Sequence, residues 1–268
     1  MMEISGKRIL LISTCLIIFI TLFIAVVCFS NDDVVIKEHN YIAHAGGIIE
    51  GYPYTNSKEA VEHAIACGIN YIELDLNLTS DSMLVAVHDW NEFYHMATIT
   101  PPLSKNIDKQ TFIKSKIYDK FTPLTADGIV DILKEHPELT LVTDKISDPR
   151  IIHPYFKDFT HRVVVECFSD SDYYTLSQLG YKCFRSEIPQ FWGLYYLKKL
   201  LTLGRYNIDK YVTWFGFYDW RVRRYFGRFP PPKCEMAIFT IKDRMTADSI
   251  FAVYPNVSLI YVDDIELP

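Results

Sequence analysis

Between Tyr41 and Val262, short runs of branched and aromatic residues alternate with stretches at helical spacing, and no other feature constrains the fold as strongly. The strand-like runs are Tyr41–His44, Tyr71–Leu78, Leu84–His88, Leu139–Lys145, Arg162–Phe168, Lys182–Arg185, Tyr211–Trp214, Ala237–Ile241 and Leu259–Val262. Helix signals lie between several of them. Asn56 and Glu59 have the spacing of a capping box, opening a helix that Gly68 closes. Ile129, Ile132 and Leu133 share a helical face that ends before Pro137, and "SDYYTLSQLGY" stops at Gly180. Parallel strands need long crossovers, usually helices, so the alternation predicts a parallel α/β fold. The number of units fits a closed (β/α)8 TIM barrel spanning residues 31–268.

The N-terminus is of another kind. Ile9–Ser30 is apolar and almost uncharged, and as a helix it would reach about 33 Å, enough to cross a bilayer core. Lys7 and Arg8 precede it and Asp32 and Asp33 follow, a bias that places the N-terminus inside and the rest outside. The expectation is therefore an N-terminal transmembrane signal anchor over residues 1–30, with the barrel on the periplasmic or extracellular side. Small residues before Asn31 leave a cleaved signal peptide as the alternative. The 268-residue chain carries a net charge of −6, which argues against a general nucleic-acid binder. No CxxC pair is present, so a zinc site is not expected; Cys167 and Cys183 could pair or remain buried thiols.

The run Tyr71–Leu78 bears on chemistry. One face carries Tyr71, Glu73, Asp75 and Asn77; the other carries Ile72, Leu74, Leu76 and Leu78. In a barrel the apolar face lies under the helices, which turns Glu73 and Asp75 toward the lumen. Two such carboxylates repel unless a cation or a proton neutralises them, and Ca²⁺ or Mg²⁺ suits oxygen ligands. The plainer alternative is an edge strand with a solvated acidic face. His44 and His88 weigh against it, because each ends a strand-like run and the two bracket the carboxylates. Two imidazoles can serve as base and acid beside a metal, an arrangement suited to a phosphodiester.

His44-Ala45-Gly46, Asn56 with Ser57 and Glu59, Glu73-Leu74-Asp75 and His88-Asp89 follow one another in an order and spacing that resembles the glycerophosphodiester phosphodiesterases, which are TIM barrels. "LVTDK", "FTIKD" and "IYVDDIEL" resemble later strands of the same family, less specifically. The resemblance implies that His44 and His88 are the acid/base pair. It implies that Glu73 and Asp75 bind the metal with Asp144 as third ligand. It also implies a small insertion at about 90–138 over the barrel mouth, and attack on phosphorus by the neighbouring glycerol hydroxyl, with water opening the cyclic product. The implied partner is a small phosphodiester or a lipid headgroup, besides the membrane reached through the N-terminal helix.

Two departures stand out. Ala45 replaces the arginine that follows the family's first histidine, and Ile146 stands where the family places a lysine. Lys145 is one step away, and in a regular strand one step points a side chain to the other face. Arg185, at a predicted strand end, is the favoured replacement contact to phosphate, with Lys145 the other candidate. The basic stretch Trp220–Lys233 is either solvated surface or a site for anionic headgroups. Two other functions fit the same residues: a phospholipase C or sphingomyelinase D type lyase, which would leave a cyclic phosphate, and an anchored barrel that binds a phospho-ligand without turnover.

Overall fold

The computed structural model of the protein describes residues 13–22, 38–102, 106–184, 201–202, 215–217, 236–254 and 257–266. The strands are β1 (Asn40–Ala43), β2 (Tyr71–Leu78), β3 (Leu84–Ala86), β4 (Thr140–Asp144), β5 (Val163–Glu166), β6 (Lys182–Phe184), β7 (Phe215–Phe217), β8 (Met236–Asp243) and β9 (Val257–Asp264). Eight of them form one path, β6-β5-β4-β2-β1-β9-β8-β7, and each neighbouring pair is parallel. The order follows the chain around a curl, so that β1 lies between β2 and β9. The expected parallel α/β sheet is present.

β3 differs from expectation. It pairs antiparallel with β2, Leu78 opposite Leu84, and stands off the parallel path. Only Thr79–Met83 joins the two strands, too short for a crossover but enough for a hairpin. Tyr211–Trp214, expected as a strand, lies outside the described residues, and β7 begins at Phe215.

Alternation along each strand separates two cores. Ile72, Leu74 and Leu76 of β2 pack with Val61 and Ala64 of helix Lys58–Ala66 and with Ile129 and Leu133 of helix Ala126–Glu135. Burying each such aliphatic side chain contributes about 1.5–3 kcal/mol. The inner face gathers Ile42, Val142, Val164, Phe184, Ala237, Leu259 and Tyr261 from six strands, with Tyr71 against them. A third cluster, including Trp90, Phe93, Phe112 and Phe121, lies between β3 and β4 in the chain, where helices Trp90–Met96 and Lys109–Lys114 form.

Two local expectations change. The helix after the first strand is capped by Ser57, whose hydroxyl accepts from the Ala60 amide at 3.2 Å. Glu59 turns to Thr122, and Asn56 is free to serve elsewhere. Cys167 and Cys183 are both buried free thiols. They behave as small core residues of the outer layer.

The N-terminal expectation is overturned. Among the described residues no helix is long and apolar enough to cross a membrane. The described residues there, 13–22, are helical. Of the expected anchor Ile9–Ser30, residues 9–12 and 23–30 lie outside the described residues. The transmembrane helix, the single-pass anchor and the exported placement built on it are withdrawn.

Candidate active site

The carboxyl ends of β1, β2, β4 and β9 bring the candidate residues together. β1 runs into a single turn, His44–Gly46, whose Ala45 adopts a left-handed backbone at φ 49°. The chain then needs two positive-φ glycines. At Gly46, with φ +85°, a Cβ would come within 2.9 Å of Ala60 Cβ, and at Gly47, with φ +87°, within 2.8 Å of Ile265 Cδ1. Glycine is the residue that fits both the backbone and the space. The bend turns the Ala45 amide toward β2, where it donates to Glu73 Oε2 at 2.7 Å.

Glu73 and Asp75 are buried, each about 2% exposed. Asp144 ends β4 in direct register with Asp75. One carboxylate oxygen from each of the three lies within 4.8 Å of the others. Asn56, itself at φ 49°, clamps Asp75 from both ends: its amide nitrogen donates to Asp75 Oδ2 at 3.0 Å, and its oxygen accepts from the Asp75 amide at 2.9 Å. Burial, with the charges of Asp75 and Asp144, raises the Glu73 pKa well above the ordinary carboxylate value. Burial also raises that of Asp75, against the opposing pull of Asn56 and of the cationic forms of His88 and Lys145.

Glu73 Oε1 is a buried oxygen with no partner. An uncompensated buried carboxylate oxygen costs several kcal/mol, and a hard divalent cation would satisfy it together with the surplus charge. The donor set therefore fits Ca²⁺ or Mg²⁺. Lys145 reaches the same cluster, with Nζ 3.2 Å from Asp144 Oδ2 and 3.7 Å from Asp75 Oδ1. It does so although one step along β4 would point it away. Its backbone is left-handed at φ 70°, so the strand's alternation stops at Asp144 and the side chain swings inward. Burial lowers its pKa, but Asp144 and Asp75 outweigh that and raise it overall.

The two histidines flank the cluster, each with a carboxylate on Nδ1. His44 Nδ1 lies 2.8 Å from Asp263 Oδ1 on β9, and both side chains are about 21% exposed. The rings of Tyr54 and Tyr261 meet the imidazole edge-on at 5.0 and 6.0 Å. His88 Nδ1 lies 2.7 Å from Glu92 Oε2, in a pair more open to solvent. The Val87 amide donates to the Asp75 carbonyl at 2.7 Å, which fixes the His88 end of the hairpin beside the carboxylates. Arg185 and the stretch Trp220–Lys233 lie outside the described residues.

Three participants escaped the sequence. Asn56 looked like a helix cap, but its neighbour Ser57 caps while Asn56 holds Asp75. Asp263 sits 219 residues from His44, with only its place in a final strand as a signal. For Glu92 the signal that could have found it is its place four residues after His88, at the spacing where helical side chains meet.

These features suit chemistry on phosphoric diesters. The glycerophosphoryl diester phosphodiesterase family matches residues 47–169, a segment that begins just past His44–Gly46. Over that segment the chain is similar to the glycerophosphodiester phosphodiesterase family, and its fold is shared with solved structures of that name. A glycerophosphodiester phosphodiesterase from Agrobacterium tumefaciens superimposes with a TM-score of 0.62 at 15% identity, covering 85% of this chain and 98% of that one. One from Parabacteroides distasonis gives 0.60 at 16% identity, covering 87% and 94%. An Oleispira antarctica phosphodiesterase in complex with its product sn-glycerol-3-phosphate gives 0.58 at 15% identity, covering 84% and 92%. No curated protein matches the chain.

Proposed function

We propose that the protein hydrolyses glycerophosphodiesters, or a closely related phosphodiester headgroup, to an alcohol and a phosphomonoester. The observation that carries this is one buried carboxylate cluster with a partnerless oxygen, flanked by two carboxylate-held imidazoles. Glu73, Asp75 and Asp144 would hold a divalent cation, Ca²⁺ or Mg²⁺. When bound, such an ion offsets charge on the phosphoryl oxygens. His44 and His88 act as the acid/base pair: one takes the proton of the attacking hydroxyl, the other gives a proton to the departing alcohol. Pure binding needs no such couple.

Lys145, already at the cluster, supplies the cation that Ala45 lacks, and Arg185 is a second proposed phosphate contact. The eight parallel strands belong to a closed TIM barrel over residues 31–268, completed between β6 and β7, with residues of about 90–138 inserted above its mouth. The order of the strands, which runs outward in chain order on one side of β1 and returns in reverse on the other, and the separate aromatic cluster support this layout.

The test is a phosphodiester panel assayed with and without chelator. Phosphomonoester released only with metal is the expected result. A cyclic phosphate that accumulates as final product would identify a lyase, and no turnover on any diester would sink the proposal.

A further inference from the structure

Glu92 has no assigned part in phosphodiester chemistry, and the way it is held says what it does. Asp89 caps helix Trp90–Met96 by accepting from the Asn91 and Glu92 amides at 2.8 and 3.3 Å. That makes Glu92 the third helical residue, where a glutamate ordinarily reaches back to the capping residue's own amide. Here the carboxylate goes one residue further back, to the His88 ring, at 2.7 Å from Nδ1. The main chain just before the ring is fixed by the hairpin, because the Val87 amide is bonded to the Asp75 carbonyl. The imidazole is thus held by a helix turn while its backbone is anchored at a strand end.

We propose that Glu92 is a positioning residue for His88: it holds the Nδ1–H side of the ring and leaves Nε2 as the nitrogen that exchanges protons with substrate. This rests on the acid/base role proposed for His88. A carboxylate beside Nδ1 selects the Nδ1–H tautomer when the ring is neutral, so the lone pair is on Nε2. When the ring is an imidazolium, both nitrogens carry protons and the carboxylate keeps Nδ1 occupied, so Nε2 again faces the reaction. Acid and base functions therefore use one nitrogen. The pair is solvent-facing, with side-chain exposures of 39% for His88 and 54% for Glu92, which makes its effect smaller than that of a buried partner.

Full-length protein labelled with ¹⁵N-histidine tests this, with the His88 signals assigned by their loss in His88→Gln. Parent protein is expected to show the Nδ1–H tautomer at His88. Glu92→Leu, which removes both charge and acceptor, should shift the population toward Nε2–H. It should lower kcat about three- to tenfold, between the effects of an exposed ion pair and a charge-assisted hydrogen bond, with KM within about twofold. Glu92→Gln keeps an acceptor without the charge and should fall between parent and Glu92→Leu. It also serves if the leucine variant does not fold. Unchanged His88 tautomer, or kcat unchanged in both variants, overturns the inference. A parent protein without phosphodiesterase turnover would refute the proposed function instead, while the nuclear resonance still decides whether Glu92 orients the ring.

Discussion

His44 and His88 both stand beside one acidic cluster, yet they are secured by opposite means. His44 ends a buried strand and is held by Asp263 from β9, across a parallel strand pair in which Ala43 faces Val262. His88 ends a short hairpin and is held by Glu92 four residues later, largely in solvent. One arm depends on the whole sheet; the other is built within a few residues. The comparison teaches that matching chemistry need not mean matching support. An interaction within the half-buried arm is strengthened by lower dielectric, whereas the open arm is weakened by water and salt.

The largest effect expected is loss of either ring. His44→Ala and His88→Ala should each lower kcat by about 10²–10⁴-fold while the fold persists, the usual range for one acid/base group. Near-parent turnover in one of them would show that only the other arm does chemistry. Next in size is Asp263→Asn. Removing the charge behind His44 should cost about 10–100-fold in kcat, more than any change at Glu92, in line with what orienting partners of working histidines contribute. A smaller cost than that of Glu92→Leu would reverse the ranking that burial predicts.

The smallest effect concerns the cluster between the arms. The raised pKa of Glu73, caused first by burial and then by Asp75 and Asp144, means that its ionised form destabilises the metal-free fold. That penalty is absent below the ordinary glutamate pKa and grows as pH rises toward and through the raised folded value. Glu73→Gln should therefore raise the melting temperature of chelated protein at neutral pH, an effect on the order of 1–2 kcal/mol, while abolishing most of the gain that Ca²⁺ or Mg²⁺ gives the parent. Because metal displaces protons from Glu73 and Asp75, the parent's metal-induced thermal shift should grow with pH. Equal metal-induced shifts in parent and Glu73→Gln, or a shift that shrinks as pH rises, would remove the cation from this site.

Much of this arrangement was legible in the sequence because it is periodic or local. The alternation in Tyr71–Leu78 separated Glu73 and Asp75 from Ile72 and Leu74, and the outer core contains the aliphatic set. What stayed hidden depends on chain direction or distance. β3 read as one more strand because pattern does not report whether a strand runs with or against its neighbour. Lys145 read as outward because alternation assumes a continuing strand, and its left-handed φ ends that strand. Asp263 read as one of two adjacent acids, and only folding shows which one meets His44. The apolar N-terminus shows the reverse case: its hydropathy suggested a span, yet among the described residues no helix is long and apolar enough to cross a membrane.

The position of β9 between β1 and β8 sets a timetable for the enzyme. His44, Asn56, Glu73, Asp75 and His88 leave the ribosome close together. Asp263 follows His44 by 219 residues, a lag on the order of ten to forty seconds at ordinary elongation rates. During that interval the nascent chain holds its acidic residues and both imidazoles but lacks the strand that squares the first ring to its task. Competence thus waits for β9, so a product cut short of that strand would keep most of its chemical groups and still be held inactive.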